Sequence, residues 1–169
     1  VSMGELMLAI KAGIKPKKIV FSGVGKTSNE ISYAIDRKIL LINAESISEI
    51  KEIDRIAKSK NKKVEIGIRL NPNTDANTLN QISTGKKDDK FGVNKKSFIK
   101  IIEYCKNSKN LELECLSVHI GSQILDYRPY EKMLRVIDNI IKKINFKFKY
   151  IDLGGGMGIP YNKNGKKLN

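Results

Sequence analysis

His119-Ile120-Gly121-Ser122-Gln123 and, one helix later, Asp152-Leu153-Gly154-Gly155-Gly156 decide how this sequence folds. Each lies at the end of a run that reads as a buried strand, Leu113 to Ile120 and Tyr150 to Leu153. An imidazole, a hydroxyl and three glycines therefore emerge at the same end of a parallel sheet. That end is where α/β proteins bind phosphate-bearing ligands.

Between the two segments, Met133, Leu134, Ile137, Ile140, Ile141 and Ile144 recur at helical spacing. Upstream the same alternation continues. Ser2-x-x-Glu5, Thr27-x-x-Glu30 and Ser46-x-x-Glu49 each cap a helix whose apolar residues fall on one face. A fourth helix carries Phe98, Ile101, Ile102 and Cys105. Strands are predicted at Lys18 to Phe21, Ile39 to Ile42 and Val64 to Leu70. Helix and strand thus alternate five times, which calls for a parallel sheet with right-handed crossovers. A doubly wound sheet and a (β/α)8 barrel both fit. Five strands do not close an eight-stranded barrel, so the barrel reading implies further units on both sides.

The 169 residues are 40% hydrophobic with 4 prolines, enough for a globular core. The chain starts at Val1 without an initiator Met and stops in a polar Lys/Asn-rich run, so we expect a piece of a longer protein. No membrane span or signal peptide is legible, and a soluble cytoplasmic protein is expected. The formal charge of +14 invites a nucleic-acid reading. Its distribution points elsewhere, because the lysines are spread over most helices and loops without interleaved aromatic residues, as on solvated faces. Cys105 and Cys115 have no metal-ligand or CxxC spacing and read as ordinary buried thiols.

Gly23-Val24-Gly25-Lys26-Thr27 resembles the end of a P-loop, but the first glycine of GxxxxGK[ST] would fall at Val20. A glycine turn with a capping Thr27 is the simpler reading. Gly154 to Gly158 likewise misses the dinucleotide fingerprint, since its last glycine would fall at Ile159. Those glycines suit either a phosphate monoester or a plain tight turn. His119 is the only histidine, and its flat imidazole could stack on an aromatic cofactor ring beside a phosphate held by Ser122. Arg69 ends a strand at the same rim, with ligand contact and a structural ion pair equally open. The polar stretch 71–92 is longer than an ordinary βα connection.

VSMGE, KIVFSGVGKT, INAES, IRLNPNTDA, STGKKDDKFGV, HIGSQILD and DLGGGMGIPY stand here in the order found in the diaminopimelate decarboxylases. The chain resembles these pyridoxal-phosphate decarboxylases, with their alanine-racemase-like barrel, over nearly its whole length. The resemblance implies a partial (β/α)8 TIM barrel of about five consecutive βα units, with residues 1–169 forming the central part of the cofactor-binding barrel. A lysine-bearing strand upstream and a C-terminal β domain would lie outside it.

By similarity, pyridoxal 5'-phosphate is the cofactor. His119 would stack on its ring, Ser122, Gly154, Gly155 and Gly156 would hold its phosphate, and Arg69 would lie near the ring's rim. Ser83, Thr84, Gly85, Lys90, Phe91 and Gly92 would stand at the barrel mouth. The lysine that forms the Schiff base has no counterpart in this chain, so none of its residues is expected to be the catalytic lysine. The implied reaction is decarboxylation of meso-2,6-diaminopimelate to L-lysine by a homodimeric intact protein acting on a small amino acid, with no nucleic acid or membrane partner. Sister decarboxylases of ornithine, arginine or carboxynorspermidine share the cofactor pocket and form the alternative; a basic nucleic-acid-binding domain is the alternative of another class.

Overall fold

The computed structural model describes residues 1–73 and 91–160. The elements run α1 (Met3–Lys11), β1 (Val20–Phe21), α2 (Ser28–Arg37), β2 (Leu41–Ala44), α3 (Ile47–Ser59), β3 (Val64–Arg69), α4 (Lys95–Asn107), β4 (Leu111–Ser117), α5 (Arg128–Ile144) and β5 (Tyr150–Asp152). A 3-10 turn at Pro16–Lys18 precedes β1.

All pairings are parallel, and the strands lie in the order β1-β2-β3-β4-β5. A doubly wound sheet would reverse direction at a switch point. This one does not, and it also curls. Asn43 on β2 bonds Asp152 on β5 at 2.8 Å, although three strand spacings would separate them by roughly 14 Å in a flat sheet. Two short side chains meet across that span only on a concave face. The sheet is therefore a partial (β/α)8 barrel.

Caps place the helices where local chemistry predicts. Thr27 and Glu30 form a reciprocal capping box, and the Ser2, Ser46 and Asn94 side chains accept from Glu5, Glu49 and Ser97 amides. The helices bury Ile31, Ile35, Ile50, Ile53, Phe98, Ile101, Met133 and Ile137 in one core with Ile42, Ile66, Ile68 and Leu116 of the sheet. Strand periodicity sends the alternate residues Asn43, Ser117 and Asp152 to the concave side.

Most strand boundaries differ from expectation by one to three residues, two of them for visible reasons of pairing. β2 starts at Leu41 rather than Ile39, because Leu40 N donates to Pro16 and Ile19 carbonyls outside the ladder and register with β1 begins at Val20↔Leu41. β4 ends at Ser117, where the chain leaves the ladder toward His119. Both cysteines are buried, and burial pushes each thiol up to about 12. No helix among the described residues is long and apolar enough to cross a membrane. Lysines pair with surface carboxylates, Lys60 and Lys62 with Asp36 and Lys63 with Glu112.

Candidate functional site

The chain leaving β4 turns at Gly121, and the chain leaving β5 turns through Gly154 to Gly156. The two loops are laced together. Ile124 N donates to Gly156 O and Gly158 N to Ile124 O, both at 2.9 Å, and Ile159 N donates to Gln123 Oε1 at 3.1 Å. Gly154 and Gly156 take φ of +71° and +86°, which only glycine adopts without strain. Contact reinforces the requirement. A Cβ on Gly156 would enter the Gly121 carbonyl and stand 3.3 Å from the Ser122 Cα; one on Gly154 would stand 2.7 Å from His119 Nδ1.

Gly155 is different. Its φ is not positive and a Cβ there would meet nothing within 4 Å, so neither backbone geometry nor packing accounts for glycine at this position. Its amide donates to His119 Nδ1 at 3.2 Å and its carbonyl accepts from Tyr130 at 3.0 Å. Nδ1 is therefore the acceptor nitrogen of the imidazole. Burial, with the Arg69 guanidinium adding to it, holds His119 below its usual 6.5 against the opposing pull of Asp152 and Glu45. The ring is neutral at neutral pH.

Arg69 lies in the same cleft, of about 380 Å³, with His119 and Phe91. That volume falls within the ~300–1,000 Å³ range of small-ligand sites. The question left open by the sequence has a definite answer for one side of the guanidinium. Arg69 Nη1 is held by both oxygens of Glu45, at 2.9 and 3.2 Å, with the two side chains only 13% and 6% exposed. Phe91 lies against it, 5.4 Å from ring centre to guanidinium carbon.

The strand ends thus bring His119, Ser122, Gly154, Gly155 and Gly156 together, and Arg69 lines the cleft beside His119. Gly154 supplies its turn rather than an outward amide, because its N–H points back to Asp152 Oδ1 at 2.9 Å. Of the loop residues singled out in the sequence, Phe91 and Gly92 are described; Ser83, Thr84, Gly85 and Lys90 lie outside the described residues. Sequence reasoning missed Glu45, Asn43, Ser117 and Asp152. Their signal was a polar residue standing in an otherwise apolar strand, as in Leu41-Ile42-Asn43-Ala44.

The P-loop-like segment after β1 contributes Gly23 and Val24 to the lining of the cleft, but its lysine is enclosed. Lys26 Nζ donates to Gly23 O, Asn43 O and Glu49 Oε1 at 2.5, 2.7 and 2.6 Å, and its side chain is 1% exposed. An ammonium has three N–H groups. All three are used within the fold.

A family model described as the pyridoxal-binding domain of pyridoxal-dependent decarboxylases matches residues 1–169. The chain belongs to that family. Its membership brings pyridoxal as cofactor, and the donor set at these strand ends suits such a group: the Ser122 hydroxyl and the Gly156 amide for a phosphate, with the flat His119 ring and the Arg69 guanidinium lining the adjoining cleft. Among its relatives, the chain is 44% identical to diaminopimelate decarboxylase of Aquifex aeolicus over 171 residues, covering 99% of this chain and 40% of that protein. It is 45% identical over 164 residues to the Helicobacter pylori enzyme, covering 95% and 40%. The crystal structure of a Helicobacter pylori diaminopimelate decarboxylase complexed with L-lysine superposes with a TM-score of 0.92 at 43% identity, covering 97% of this chain and 42% of that one. The chain spans about 40% of the length of these curated relatives.

Proposed function

We propose that the protein carrying this chain decarboxylates meso-2,6-diaminopimelate to L-lysine, with pyridoxal 5'-phosphate seated between the loops after β4 and β5. The observation that carries the reading is the convergence of His119, Ser122 and the glycine turn at the strand ends of a chain 44% identical to a diaminopimelate decarboxylase.

In this reading the Ser122 hydroxyl and the Gly156 amide bind the phosphate, since the Gly154 and Gly155 amides are engaged by Asp152 and His119 and a backbone N–H at a strand end is suited to an anion. His119 presents an uncharged ring to the cofactor. Its Nδ1 is fixed by the Gly155 amide, so the imidazole is oriented before ligand arrives. Arg69, immobilised by Glu45, keeps a positive charge at the rim without rotamer freedom to lose. Once bound, the cofactor supplies an electron sink for the pair left when carbon dioxide departs.

The lysine that carries the cofactor stands outside residues 1–169 in this reading, as does a C-terminal β domain, and the working protein is a cytoplasmic homodimer. Incubation of the full-length protein with meso-diaminopimelate and pyridoxal phosphate is expected to release lysine and carbon dioxide in equal amounts. Release of putrescine from ornithine or agmatine from arginine instead would overturn the substrate while leaving the cleft assignment in place. Borohydride treatment followed by peptide mapping is expected to mark a lysine beyond this chain; a mark on Lys26 would contradict its structural role.

A further inference from the structure

The concave face of the sheet holds a chain of polar side chains that the cleft itself does not use. Asn43, 1% exposed, donates through Nδ2 to Ser22 Oγ at 2.9 Å and to Asp152 Oδ2 at 2.8 Å. Ser117 Oγ, also buried, reaches the same carboxylate oxygen at 3.1 Å. The other oxygen, Oδ1, accepts the Gly154 amide at 2.9 Å. One carboxylate thereby gathers donors from β2, β4 and the glycine turn.

Asp152 dictates this arrangement. An ionised carboxylate only accepts hydrogen bonds, so the Asn43 amide must aim Nδ2 at it. The consequence is visible on the opposite side. Among the described residues, Asn43 Oδ1 is buried without a hydrogen-bond partner and lies where a Cβ of Gly67 would be. An unmade bond to a buried acceptor opposes stability, so the amide is oriented by the carboxylate and not by its own satisfaction.

The same carboxylate sets the direction of the turn. With the Gly154 N–H drawn inward and φ positive at Gly154 and Gly156, the chain between them is carried out toward His119 and Ser122. We propose that Asp152 is a positioning residue: from inside the barrel it anchors the first amide of the turn so that the Gly156 amide and Ser122 face a phosphate. The proposal rests on the reading that this cleft takes a phosphorylated pyridoxal.

Affinities of the full-length protein for pyridoxal 5'-phosphate and for pyridoxal, which lacks the phosphate, test it. Asp152→Asn keeps the shape but removes the charge, and its NH2 sets a donor against either Asn43 Nδ2 or the Gly154 N–H. Loss of a charge-assisted contact predicts about tenfold weaker binding of the phosphorylated form, with pyridoxal changed less than about twofold. In the ligand-free protein, hydrogen exchange at the Gly154 amide is expected to accelerate while β4 amides keep their protection. Equal weakening of both ligands would make Asp152 a general scaffold residue and overturn the proposal; so would unchanged affinity for both. If Asp152→Asn does not fold, Ser117→Ala removes one donor only and is expected to shift the same ratio by about twofold to threefold; an unshifted ratio overturns the proposal. A native protein that binds both ligands equally, or a Ser122→Ala variant that still discriminates as well as the native one, would instead remove the phosphate reading on which the proposal stands.

Discussion

Gly23 and Gly25 follow β1 much as Gly154 and Gly156 follow β5, and all four take a positive φ, +106°, +72°, +71° and +86°. After β1 the loop folds around its own lysine, and every N–H of Lys26 is satisfied within the protein. After β5 the turn is laced instead to the loop of the neighbouring strand, and Gly155 stands beside open space next to His119. Glycine at a strand end is therefore not what makes a ligand site. Gly23 and Val24 line the cleft with His119 as well, so what separates the two loops is that the cation after β1 is spent inside the fold, whereas the turn after β5 is joined to a second loop that brings a hydroxyl.

The largest effect expected from this contrast is at Lys26. Lys26→Met leaves Glu49, 10% exposed, without its cation, and removal of one partner from a buried pair costs about 3–5 kcal/mol. Urea unfolding should register that loss, with the cofactor affinity of the folded fraction unchanged. Gly156→Ala combines a left-handed φ with collision against the Gly121 carbonyl and is expected to cost about 3 kcal/mol, measured in the same way. Gly25→Ala has the same backbone penalty but open space around it, so about 1 kcal/mol is expected. Gly155→Ala inverts the pattern: stability within about 0.5 kcal/mol of the native protein and a clear fall in pyridoxal phosphate affinity by equilibrium titration.

The smallest expected effect concerns pH. The folded-state pKa of His119 is depressed below 6.5, chiefly by burial, so unfolded chains take up a proton first as pH falls. Stability should therefore hold above that pH, decline below it, and stop declining from this source once the folded imidazole is also protonated. His119→Gln should flatten that decline, which lies below pH 6.5.

Helix starts were legible because capping is local: Thr27 and Glu30, three residues apart, meet within one turn. The alternation of elements likewise called for parallel strands. Barrel against doubly wound sheet was not decidable from periodicity, since the deciding contact joins Asn43 to Asp152 across 109 residues. Asn43 itself hid the end of β2, because a polar side chain reads as a break unless its buried partners are known. Arg69 showed the same limit. Its place at the rim followed from the strand, whereas its grip by Glu45 depended on which neighbour β2 brought alongside. His119, Ser122 and the glycine turn were legible as a group because each lies in the segment that follows a strand, and parallel strands deliver their ends to one side.

A crystal structure of the full-length protein with pyridoxal 5'-phosphate tests the central claim most directly. The account predicts the phosphate within about 3 Å of Ser122 Oγ and of an amide between Gly155 and Gly156, with the ring against His119. A phosphate bound at the Gly23–Lys26 loop, or a ring remote from His119, would contradict it.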